Sequence, residues 1–103
     1  MIIAVLVTIP QNKAKTIAKK LLTKRVCACV NIINGVESFF WWQGRIDTVK
    51  ESLLIIKTKK SLFAKLKKAI KQNHPYDTPE IIGFEIDKSN KKYLDWVKKE
   101  SCG

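Results

Sequence analysis

Between Val26 and Thr58 the chain reads VCACVNIINGVESFFWWQGRIDTVKESLLIIKT, two long runs of strand-forming residues about a Gln43-Gly44 centre. Val26, Ala28, Val30 and Ile32 alternate with Cys27, Cys29, Asn31 and Ile33, the two-residue period of a strand, and beyond Gly35 the run continues through Phe39, Phe40, Trp41 and Trp42. Glycine at the centre supplies the positive φ that a two-residue hairpin turn needs. The pattern therefore predicts one long hairpin whose first strand has about seventeen residues and, at ~3.3 Å each, spans about 55 Å. A compact chain of this size has a radius of gyration near 13 Å, a diameter of about 34 Å. Asn34-Gly35 relieves part of the mismatch, because glycine in a strand marks a bulge or bend. The four aromatics point to both faces and need more cover than this chain supplies; each covered ring is worth at most about 4–6 kcal/mol. The expectation is an obligate homo-oligomer.

The remaining pattern places the other elements. Ile2 to Thr8 is an apolar, β-branched run, expected as a central strand buried on both faces. From Pro10 to Arg25, Ala14, Ile17, Ala18, Leu21 and Leu22 form a helical stripe with lysines on the rest of the cylinder. Pro10 suits its start, and Lys24-Arg25 suits the negative end of its dipole. After the hairpin, Ser61 is expected to cap a second helix with Leu62, Phe63, Leu66, Ala69 and Ile70 inward. Pro75 and Pro79 hold an extended loop, NHPYDTPE, before a strand at Ile81–Ile86. Asn90 is placed to cap a last helix burying Tyr93, Leu94 and Val97. The order βαββαβ plus a terminal helix predicts a single α+β domain over residues 1–103: a ferredoxin-like sandwich of an antiparallel sheet with two helices on one face, a long β2-β3 hairpin and an extra C-terminal helix.

Composition narrows the chemistry. The apolar start is only seven residues long, with no basic region ahead and no cleavage site behind, so it is expected to be neither signal peptide nor membrane span, and the cytoplasm is the expected compartment. The odd set Cys27, Cys29 and Cys102 has no C-x-x-C spacing; Cys27 and Cys29 are expected as small core residues. Net charge +11 raises the question of nucleic acid, yet 18 of the 20 basic residues are Lys, and Arg is the residue suited to bidentate recognition of phosphate or bases. The strands that would carry stacking aromatics in an RNA-recognition motif read IIAVLVT and SLLIIKT, without one aromatic, so nucleic acid is not the expected ligand. With one histidine, no nucleophile signature and no glycine-rich phosphate loop, an enzyme is not expected. His74 with Asp77 offers two metal ligands, short of the usual four, a number that repetition at a symmetry axis would raise.

Taken together, ACVNIINGVESFFWWQGRI, SLLIIKTKKSLFAKLKKAI, HPYDTPEII and YLDWV resemble, in order and spacing, the CutA family of divalent-cation tolerance proteins over essentially the whole chain. The resemblance implies a ferredoxin-like fold assembled as a homotrimer similar to the PII signalling proteins, with clefts between subunits and an association with tolerance of copper and other divalent cations. It implies copper binding by a Cys ending the first strand and a His pair before the PY of the loop. Here Val7 stands for that Cys and Asn73 for the first His, leaving His74 as the candidate metal ligand for a divalent cation such as copper; a soft Cu(I) site thereby loses its thiolate. Trp42, Lys57, Tyr76 and Glu80 are expected to line the cleft, Trp42 and Tyr76 as packing residues or as ligand platforms. Lys57, ending an apolar strand, either snorkels or pairs with Glu80, or binds a small anionic ligand. The alternative is a structural or adaptor trimer whose basic surface docks an acidic protein or nucleic acid.

Overall fold

A computed structural model describes every residue from Met1 to Gly103. Strand β1 (Ile2–Ile9) leads to helix α1 (Gln11–Thr23), the hairpin β2 (Cys29–Trp42) and β3 (Arg45–Lys59), helix α2 (Phe63–Asn73), strand β4 (Ile81–Glu85) and helix α3 (Lys91–Glu100). The strands form one antiparallel sheet in the order β2-β3-β1-β4. This is the expected ferredoxin-like α+β order with its long hairpin and additional helix.

Side-chain alternation in the strands decides where the core lies. Ile3, Val5, Val7 and Ile9 of β1 share a face with Leu54 and Ile56 of β3, and that face meets Ala14, Ile17 and Leu21 of α1 and Leu66, Ala69 and Ile70 of α2. Leu21, Leu66 and Ile70 are fully buried, each worth about 1.5–3 kcal/mol relative to exposure. The expectation that β1 is buried on both faces is corrected here: Ala4, Leu6 and Thr8 are only half-buried. Their neighbours on that face, Ile33, Ile82 and Phe84, stay exposed, because α3 covers only the end of the sheet near Ile2 and Cys29, where its Val97 is buried. One chain thus completes one face of its sheet and leaves much of the other open.

The hairpin relieves part of its length problem at the expected bulge. Ladder pairs run Ile33↔Leu53 and then Val36↔Glu51, so β2 carries one extra residue, and Gly35 in that bulge has φ +74°. Beyond the bulge the two strands stand out as an arm, giving the molecule extents of 45 × 26 × 22 Å. At the tip both Gln43 (φ 50°) and Gly44 (φ 80°) are left-handed, the pattern of a type I′ turn, so glycine supplies only one of the two positive φ angles. Phe39, Trp41, Trp42 and Ile46 are 68%, 74%, 58% and 65% exposed, so nothing within the chain covers the arm.

Four local expectations need correction. Ser61 makes no capping hydrogen bond; Lys60–Leu62 form a 3-10 turn that runs into α2. The ladder begins at Cys29, so Cys27 lies before the strand, buried in the core, where burial first and Cys29 second push its thiol up to about 12. β4 ends at Glu85, one residue short of its expected end at Ile86. Tyr93 is exposed and stacks on Trp96, with ring centroids 5.7 Å apart, while Val97 supplies the buried contact of α3. The Asn90 cap is present, its side chain accepting from the Lys92 N–H at 3.0 Å. No helix is long and apolar enough to cross a membrane.

Candidate functional site

The sequence after α2 forces a tight, well-tethered loop. Pro75 holds His74 in extended backbone (φ −95°, ψ 136°), ending the helix and turning the imidazole inward, where it is 9% exposed. Its Nδ1 accepts the Tyr76 N–H at 3.1 Å, which places the ring proton on Nε2, and Nε2 donates it to the Thr8 carbonyl at 2.8 Å. The rings of His74 and Tyr76 pack 4.8 Å apart, and the Tyr76 hydroxyl donates to Glu51 Oε2 at 2.8 Å. One hydrogen-bonded chain therefore ties the end of β1, through His74 and Tyr76, to the residue of β3 that faces the bulge of β2. Burial, then the hydrogen bond from Tyr76 to Glu51 and the carboxylate charge, push the Tyr76 hydroxyl up to about 12.

Glu51 is the residue that sequence reasoning passed over. It is 3% exposed, and neither the ion pairs of the chain (Arg25–Glu100, Lys60–Glu85 and Lys91–Asp95) nor any donor other than Tyr76 reaches its carboxylate. Parity gave no signal for it: Glu51 shares the half-open face of Leu53 and Ile55, opposite the core-facing Leu54 and Ile56, and Tyr76 of the 74–80 loop meets it there.

Between the arm and the 74–80 loop runs a groove of about 730 Å³ floored by Thr8 and Glu51. Trp42, Tyr76 and Glu80, three of the four expected cleft residues, line it together with Asp47 and Asp77. Lys57 does not. It sits six residues along β3 from Glu51, about 20 Å at the strand rise, and its Nζ donates to Asn31 Oδ1 instead of pairing with Glu80. The groove has four carboxylates and no Lys or Arg in its lining, so its field favours a cation and opposes the small anion expected from Lys57.

The copper positions are arranged otherwise than the resemblance implies. Val7 is wholly buried among core side chains, and Asn73 donates to the Ala69 carbonyl at 2.8 Å while accepting from Lys20 Nζ at 3.2 Å. Both nitrogens of His74 are taken by backbone groups, so its role within the chain is to hold the loop, and a metal would have to displace one of those bonds. No group of three or more His, Cys, Asp and Glu side chains gathers to hold a metal ion.

Residues 3–100 match the model of the CutA1 divalent ion tolerance proteins. The chain belongs to the CutA1 family. It is 45% identical over 100 residues to the chloroplastic protein CutA 1 of Oryza sativa subsp. japonica, covering 96% of this chain and 56% of that one. The divalent-cation tolerance protein CutA of Thermus thermophilus is 44% identical over 98 residues, with 94% of this chain and 95% of that protein covered. Among solved structures, the crystal structure of CutA1 from Oryza sativa superposes with a TM-score of 0.96 at 43% identity, covering 98% of this chain and 94% of that one. The chain spans about half the length of the plant relatives it matches.

Proposed function

We propose that this CutA-family chain works as a non-catalytic, PII-like homotrimeric binder in divalent-cation tolerance, receiving a cation in the groove between its arm and its 74–80 loop. The observation that carries the reading is Glu51, a carboxylate 3% exposed, with one hydroxyl donor and no cation, in a groove that adds Asp47, Asp77 and Glu80. A charge removed from water without a counter-charge is costly, and a bound cation removes that cost. The exposed rings of the arm support the trimer, and a groove at the base of the arm then lies beside the subunit interface. Oxygen donors suit a hard or borderline divalent ion better than the Cu(I) that a thiolate would select.

Calorimetric titration of the metal-free protein with Zn²⁺ and Cu²⁺ tests the reading, with Glu51→Gln and His74→Ala in parallel. Saturable binding that Glu51→Gln weakens at least tenfold is expected. His74→Ala is expected to weaken it less, by loosening Tyr76. Binding lost in His74→Ala and retained in Glu51→Gln would transfer the site to the imidazole.

A further inference from the structure

Charge is distributed over this chain by element. Residues 1–36 and 57–76 hold 13 of the 20 basic residues and no Asp or Glu, whereas the rest of the chain holds seven basic and nine acidic residues. The net charge of +11 therefore belongs entirely to the segments that contain α1 and α2. α1 with its C-cap Lys24 exposes five lysines and α2 exposes four, and none of the nine pairs with an Asp or Glu: the ion pairs of the chain use Arg25, Lys60 and Lys91. Lys20 Nζ reaches Asn73 Oδ1 at 3.2 Å and Lys24 Nζ reaches Gln72 Oε1 at 3.5 Å, so the two helices present one continuous face. That face is built against local stability. Lys15–Lys19, Lys20–Lys24 and Lys67–Lys71 are like charges one turn apart, and Lys13 and Lys65 stand in first turns, where the helix dipole favours an acid. On α3 the same chain does otherwise: Lys91 pairs with Asp95 four residues on at 3.1 Å, and Glu100 takes Arg25 at 2.7 Å. A lysine-rich composition alone does not separate the helices in this way.

We propose that the outer face of α1 and α2 is a docking surface for double-stranded nucleic acid, held through its phosphate backbone without regard to sequence. At ~1.5 Å per residue α1 is about 20 Å long, a length over which a duplex carries about 12 phosphates. Lysines meet those phosphates as point charges and release the counterions condensed on them, and the phosphates offset the repulsion between neighbouring lysines. The only Arg near the face is Arg25, which Glu100 occupies, and its one exposed large apolar residue is Leu22, so it neither reads bases nor stacks on them. The same bareness sets other polyanions aside. A protein interface is depleted of Lys and enriched in aromatics at its core, and a membrane-surface helix buries an apolar face in the lipid. A second copy of the chain, carrying the same lysines, is repelled. α1 and α2 cover the core face of the sheet, opposite Ile33, Ile82 and Phe84, so an assembly that closes over the open face and the arm leaves this surface in water.

The test is fluorescence anisotropy of a labelled duplex DNA of mixed sequence, about 20 base pairs long, titrated with the full chain in its native assembly from about 0.05 to 0.2 M salt. Saturable binding is expected, equal for a second duplex of unrelated sequence and tighter than for the single strand. Log affinity is expected to fall against log salt with a slope of about −4 or steeper. Lys15→Gln/Lys19→Gln/Lys68→Gln/Lys71→Gln removes four exposed charges from the face and is expected to weaken binding at least about tenfold and to flatten the slope by about 2–4. Its thermal midpoint is expected at or above that of the wild type, because like-charge pairs are relieved, so lost affinity is not a lost fold. Lys88→Gln/Lys92→Gln/Lys98→Gln/Lys99→Gln has the same net charge and is expected to stay within about threefold of the wild type. Equal weakening by the two variants would place the attraction in net charge and overturn the surface. A single strand bound more tightly than the duplex would overturn the duplex assignment. No duplex binding would overturn the proposal; phosphatidylserine vesicles or polyglutamate bound instead, and lost in the helix-layer variant, would pass the face to a membrane or to an acidic protein.

Discussion

The helix layer and the hairpin arm of this CutA chain are built from the same alternation of apolar and polar residues and finish in opposite states. Under α1 and α2 every inward position finds a partner in the chain: Leu21, Leu66 and Ile70 are fully buried against β1 and β3. On the arm, Phe39, Trp41, Trp42 and Ile46 find none. Charge divides the same way. Residues 1–36 and 57–76, which contain both helices, hold no Asp or Glu, whereas the groove at the base of the arm holds four carboxylates and no Lys or Arg. The recess between α1 and α2 is lined by Lys19, Lys20 and Lys24 near helix C-termini, where cations complement the dipole and face solvent. The helix layer is a finished packing surface, whereas the arm keeps apolar rings, and the groove carboxylates, that no other part of the chain covers or pairs with a cation.

Cavity formation separates the two regions most sharply. Leu66→Ala is expected to cost about 2–5 kcal/mol in urea unfolding, because the helix layer cannot collapse around the void. Trp41→Ala is expected to leave the fold of each chain intact by far-UV circular dichroism. A comparable loss of secondary structure from Trp41→Ala would mean that the arm is stabilised from within.

A smaller effect reads the tether between loop and groove. Tyr76 titrates at about 12, above the ordinary phenol value near 10, so its neutral form is favoured in the fold. Its contribution to stability is then complete below pH 10 and declines as pH rises from about 10 to 12, where the unfolded chain has released the proton that the folded chain retains. Ultraviolet difference titration in a Tyr93→Phe background isolates this phenol. Glu51→Gln is expected to lower its pKa part of the way toward 10, because the carboxylate is a secondary cause behind burial. No change on that substitution would detach Glu51 from the loop.

How far the sequence could be read follows this division. The period-2 and period-3.6 patterns located all four strands and all three helices, because those patterns record burial within one chain. Asn34-Gly35 announced the bulge for the same reason, glycine alone taking φ +74° without strain. Trp42, Tyr76 and Glu80, named together by resemblance, line one groove within the chain, whereas Lys57 lies apart on Asn31; an ending strand looks alike whether its last charge faces a groove or a neighbouring strand. Glu51 was passed over because a glutamate in KES reads as a strand-edge charge; only the register opposite Val36 and the hydroxyl of Tyr76 reveal that it is buried. Composition does not say where the two nitrogens of His74 are spent, and within the chain both go to backbone groups.

The smallest expected effect lies at the arm tip. Gln43 occupies a left-handed position that Asn fills more easily, so Gln43→Asn is expected to stabilise the hairpin by up to about 1 kcal/mol in urea unfolding. A destabilisation would show that the Gln43 side chain is held by an interface.

Sedimentation equilibrium of the wild-type chain and of Phe39→Ser/Trp41→Ser, at micromolar concentration and 0.15 M salt, tests most directly whether the arm is one side of an interface. The wild type is expected at three times the 11.8 kDa chain mass and the variant, with its helix layer still folded, at a lower mass. A wild type at the mass of a single chain, with those rings left in water, would contradict the account.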